Sequence, residues 1–128
     1  KWFKTIYLPI DKLLGQIINP LGSKIRDLSA DPYDQILMDS FCSYLDASKS
    51  KIKKVKIIYM SRTSPSIIKD FSLDLYHCLS QVEDSLNEFE RYTLGYVDNY
   101  LHDGKSMIAE AKRKRKLLQA NKKDWLIL

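Results

Sequence analysis

The chain has 128 residues, of which 45% are hydrophobic and 29% charged, and it contains eight tyrosines. That length fits one domain, and the apolar and aromatic content is too high for a disordered chain, which cannot bury enough surface to offset its ordering entropy. The longest uncharged stretch, Leu13 to Ser23, is interrupted by Gly15, Asn19 and Pro20 and is far shorter than the roughly 20 apolar residues of a membrane-spanning helix.

Two cysteines, Cys42 and Cys78, are too few for a disulfide framework or a four-cysteine zinc site, and point to a reduced, intracellular setting. The chain starts at Lys1 without the charged, apolar and small-residue succession of a signal peptide, and reads as a fragment of a larger protein.

In chain order, Pro9 to Asn19 reads as a short helix with Leu13, Leu14, Ile17 and Ile18 inward. Leu21 to Leu28 reads as a further turn or two beyond Pro20, using Leu21, Ile25 and Leu28. Asp31-Pro32 and Ser64-Pro65 each place a capping side chain before a proline, the signature of a helix start. After Asp31, the residues Ile36, Leu37, Phe41, Tyr44 and Leu45 fall at helical spacing, so the apolar face from about Tyr33 to Ala47 is expected to be buried. Lys51 to Met60 fits a helix through Ile52, Val55 and Tyr59; Val55, Ile57 and Tyr59 also alternate as a strand would, but no second strand is visible to pair with it.

The clearest pattern follows Ser64. From Leu75 through Leu79, Val82, Leu86, Phe89, Thr93, Tyr96 and Tyr100, spacings of four and three make a heptad-like seam that calls for another helix. It predicts one long amphipathic helix over about 65–102, with Gly104 as its C-terminal cap. Unbroken, that helix would approach 60 Å at about 1.5 Å per residue, so a break near Gly95 is expected. After Ser106 a last helix runs through Lys116 with Met107, Ile108 and Ala111 inward, followed by the apolar tail Trp125 to Leu128.

Charge is segregated along the chain. Residues 49–62 carry six bases and no acid, residues 66–104 eight acids against Lys69 and Arg91, and residues 105–128 eight bases against Glu110 and Asp124. Two readings follow: an acidic helix packs between basic ones so that their fields offset, or the bases form a surface for an anionic partner.

Residues able to carry chemistry are poorly placed for it. His77 and Cys78 are neighbours on one helix, so their side chains diverge by roughly 100°, and His102 sits where a histidine caps a helix end. Asp70/Asp74 and Glu83/Asp84 lack a facing ligand, and four scattered glycines cannot build a phosphate-cradling loop.

The expected fold is therefore all-α: a bundle of four to six helices forming a single domain over 1–128. The expected function is that of a non-enzymatic interaction or assembly module, without cofactor or metal. It would bind a protein partner or a second copy of itself through an apolar and aromatic helix face, chiefly Phe89, Tyr92, Tyr96 and Tyr100. The alternative is an anion-binding domain in which Lys53, Lys54, Lys56, Lys112, Arg113, Lys114, Arg115 and Lys116 face nucleic acid or an acidic membrane surface.

Overall fold

A computed structural model describes residues 1–122, and the tail Trp125 to Leu128 lies outside the described residues. Among the described residues four helices follow one another: α1 (Leu8–Ala30), α2 (Gln35–Met60), α3 (Lys69–Gly95) and α4 (Asp98–Asn121). A π-helical turn, Phe3–Tyr7, leads into α1, and a 3-10 turn, Ser66–Ile68, leads into α3. Among the described residues there is no strand, and the fold is an all-α helical bundle. None of these helices is long and apolar enough to cross a membrane.

Helix α1 does not end at Pro20 as the sequence predicts. Leu14, Ile17, Ile18, Leu21, Ile25 and Leu28 make one buried stripe across the proline. Packing of that stripe outweighs the roughly 3 kcal/mol that an interior proline costs. Ahead of it Trp2, Phe3 and Tyr7 are buried and gather round Phe71 of α3, with ring centroids 5.1 to 6.4 Å from it. These residues anchor the start of the chain, an element the sequence reading left undescribed.

Asp31-Pro32 does not open α2. Asp31 to Asp34 is a tight turn closed by the Asp34 N–H donating to the Asp31 carbonyl at 3.2 Å, and Asp and Pro at its first two positions suit such a turn equally well. The cap is Asp34, whose carboxylate accepts from the N–H groups of Ile36 and Leu37 at 2.9 and 3.1 Å. From there Met38, Phe41, Leu45, Ser48, Ile52 and Val55 form a buried seam at spacings of three and four. The Lys51 to Met60 segment continues the same helix. Ile36 lies two residues before Met38, about 200° round the helix from it, and so points to solvent with 80% of its surface exposed. The face expected to be buried from Tyr33 onward is therefore buried only from Met38.

Helix α3 starts after Pro65 and a 3-10 turn rather than at Pro65 itself. The predicted long helix over 65–102 is two helices. It stops at Gly95, and Tyr96 takes the left-handed conformation (φ 57°, ψ 28°) while its N–H donates to the Tyr92 carbonyl at 2.8 Å. That is a C-terminal capping geometry, and it releases the chain into α4.

Gly104 is not a cap. It lies within α4, buried with Ile108, Ala111 and Leu118, and small residues at Gly104 and Ala111 let α4 approach α3 closely. The Ser85 hydroxyl donates to the Gly104 carbonyl at 3.0 Å, and the Cys78 thiol to the Ala111 carbonyl at 3.5 Å. Consecutive helices run antiparallel, as these contacts and the pairs Lys49–Glu90 (2.6 Å) and Lys56–Glu83 (2.8 Å) between α2 and α3 show. Asp11 of α1 ties to α4, accepting from Arg115 at 2.8 Å and from Gln119 at 3.3 Å. The α1/α2 and α3/α4 junctions therefore share one end of the bundle, and the α2/α3 junction lies at the other.

A candidate protein-docking face

The two junctions at the first end leave large apolar side chains in water. The tight turn presents Tyr33, 79% exposed, and the first turn of α2 presents Ile36; the α3/α4 junction adds Leu94, 83% exposed, with Tyr96 and Val97. The Tyr33 and Tyr96 rings meet with centroids 5.3 Å apart, joining the two junctions, and Tyr96 also contacts Tyr92 edge-on at 5.9 Å. Beside them the Arg91 guanidinium lies over the Tyr100 ring at 5.9 Å while pairing with Glu88 at 2.8 Å. The result is an aromatic and aliphatic patch spread over the two junctions and the helix ends beside them.

Tyr96 is the only non-glycine residue with positive φ among those described. A bulky side chain there stores strain that a glycine would avoid, a local rule more often broken at working surfaces than elsewhere.

Of the four aromatic residues named from the sequence, two belong to the interior. Phe89 is fully buried with its ring against Phe41, 5.8 Å between centroids, and Tyr92 is 2% exposed, its hydroxyl held above its ordinary range by burial and by the charge of Asp98. Tyr96 is exposed and Tyr100 half-buried. Tyr33, Ile36, Leu94 and Val97 complete the patch and were not anticipated. The available signal was that each lies off its helix's buried seam or in a junction.

The basic blocks sit apart. Lys53, Lys54 and Lys56 lie on α2 and Lys112 to Lys116 on α4, and these two helices make no contact with each other. Lys56 is engaged by Glu83, Arg113 by Glu110 within α4, and Arg115 by Asp11. Lys53, Lys54, Lys112 and Lys116 are exposed.

Groups with chemical potential are dispersed. His77 lines a groove of about 220 Å³ between α3 and α4 with Asp74, Arg113, Lys114 and Leu117. Among the described residues no three His, Cys, Asp or Glu side chains gather to hold a metal. Cys42 and Cys78 are both free thiols. Burial pushes the Cys78 thiol from its ordinary 9.0 up to about 11, so it stays protonated and unreactive at neutral pH. A thiol reagent on the native protein is expected to modify Cys42, which is only half-buried, far faster than Cys78; equal rates would place Cys78 at the surface. The raised value also means that burial of this thiol contributes stability complete below about pH 9 and lost as pH rises through about 11.

The described residues thus form an all-α bundle with an apolar patch at one end. Over residues 1–126 the sequence matches the family described as the cyanobacterial DnaJ chaperone, C-terminal domain, and the chain belongs to that family. No curated protein and no solved structure matches the chain.

Proposed function

We propose that this chain is a protein-binding domain of a DnaJ-type chaperone, acting without catalysis, and that it docks polypeptide on the end face formed by Tyr33, Ile36, Leu94, Tyr96 and Val97. One observation carries the reading. Five large apolar residues from two junctions share one end in solvent, joined across the junctions by the Tyr33–Tyr96 ring contact, while the exposed apolar residues of the opposite end, Ile57, Met60 and Ile67, are interspersed with bases. Isolated exposed apolar residues are ordinary, whereas a contiguous cluster with aromatic members marks an interaction site. Membership of a chaperone family supports a protein as the ligand.

The test uses a short fluorescein-labelled peptide carrying Leu and Tyr on an uncharged background, titrated by fluorescence anisotropy. The Leu94→Ser, Tyr96→Asn double variant is expected to bind at least about tenfold more weakly. Its melting temperature should stay within a few degrees of the parent's, because Leu94 contacts little and Asn tolerates the left-handed conformation. Unchanged affinity would remove the face.

A further inference from the structure

We propose that this end face selects basic polypeptide segments, in which lysines or arginines flank one or two aliphatic or aromatic side chains; this rests on the docking role proposed above. The apolar patch has an acidic rim. Asp31, Asp34 and Asp98 stand at the junctions themselves, with Asp27, Asp39 and Asp103 about a helical turn behind them, and residues 27–39 and 94–103 hold not one lysine or arginine. Asp31 and Asp34 bracket Pro32-Tyr33, and Asp98 follows Tyr96 by two residues; burial, and after it the charge of Asp98, hold the Tyr92 hydroxyl above its ordinary range.

The nearest bases are withdrawn or occupied. Lys24 lies over the Tyr44 ring at 5.6 Å and Arg91 is held by Glu88 and the Tyr100 ring, while two exposed bases, Arg26 beside Asp27 and Lys105 two residues beyond Asp103, stand more than a helical turn back from the junctions. Two helices end at this face and two begin there, so their dipoles largely cancel and the carboxylates set the sign of the field. The opposite end has the reverse character: its exposed Ile57, Met60 and Ile67 stand among Lys53, Lys54, Arg62 and Lys69. Apolar contact at the acidic end is therefore coupled to attraction of positive charge and repulsion of negative charge, which is how interfaces discriminate between partners.

Asp31 provides a clean test because it sits at the C-terminal end of α1, where an anion is disfavoured and a cation favoured. Asp31→Lys should hold or raise the melting temperature, so weakened binding cannot be assigned to misfolding. Three labelled peptides, identical in Leu and Tyr positions with Lys, Gln or Glu between them, are titrated into the whole chain at low ionic strength. The Lys peptide is expected to bind about tenfold more tightly than the Gln peptide, and the gap should narrow as salt is raised. The Glu peptide should bind more weakly than either. In Asp31→Lys the advantage of the Lys peptide should shrink severalfold while affinity for the Gln peptide is unchanged.

Equal affinity of the Lys and Gln peptides would overturn the charge preference and leave the docking face standing. Tighter binding of the Glu peptide would overturn it in favour of the basic blocks. Reversible self-association in sedimentation velocity that Leu94→Ser abolishes would assign the face to a second copy instead. If none of the three peptides binds, the docking reading itself fails.

Discussion

Replacing Phe89 by alanine is expected to destabilise the bundle by about 3–5 kcal/mol, the usual cost of deleting a fully buried aromatic ring that its surroundings cannot collapse onto. The ring has no exposed surface, meets Phe41 edge-on from α2 and stands against Gly104 of α4, so three helices line the void it would leave. Urea unfolding checks this, read as a lowered midpoint with little change in slope. Removal of Tyr96 by Asn makes the contrast, since it should alter stability far less while weakening docking. A cost below about 1 kcal/mol for Phe89→Ala would mean that the residue is at the surface, where single substitutions are usually mild.

Gly104→Ala is expected to destabilise by about 1–3 kcal/mol, the range for overpacking a filled core. Elsewhere in a helix the same change stabilises by about 0.5–1 kcal/mol, because alanine loses less backbone freedom on folding. A Cβ at position 104 would stand 2.7 and 2.8 Å from ring carbons of Phe89, and that ring is confined by Phe41 and cannot retreat. Gly22, in an exposed position of α1 with nothing within 4 Å of an added Cβ, supplies the control. Gly22→Ala should raise the melting temperature and Gly104→Ala lower it. The double variant Phe89→Ala, Gly104→Ala should cost less than the two single changes together, because the new methyl enters space the ring has vacated. Additive costs would show that the two residues are not in contact.

Much of the architecture is legible in the sequence because apolar spacing survives as buried seams. Leu75, Leu79, Val82 and Leu86 are inward in α3, and Phe41 and Leu45 are inward in α2. The charge alternation also has its internal counterpart, in the ion pairs of Lys49 and Lys56 with acids of α3. Spacing carries less information where the chain turns. Tyr96 and Tyr100 continue the seam numerically after Thr93, but it is Tyr92 that α3 buries, and the left-handed residue at Tyr96 resets the helical phase, so the three tyrosines become a buried ring, an exposed ring and a half-buried one.

Gly104 reads as punctuation because glycine ends many helices, whereas here its missing side chain is what lets Phe89 approach α4. Pro20 likewise reads as a break, yet the stripe on both sides of it is strong enough to carry the helix through. The docking face is the least legible part. Tyr33, Ile36, Leu94 and Val97 come from two junctions some 60 residues apart in the sequence, and only their antiparallel assembly brings them to one end.

The central claim is that this end, and not a helix flank or the basic end, receives polypeptide. Amide chemical shifts of the labelled protein, followed as the Lys-bearing peptide is added, test it most directly. The account predicts shifts confined to residues 31–37 and 91–100, lost in the Leu94→Ser, Tyr96→Asn variant. Shifts centred instead on Ile57, Met60 and Ile67, or spread along Lys112 to Lys116, would contradict it.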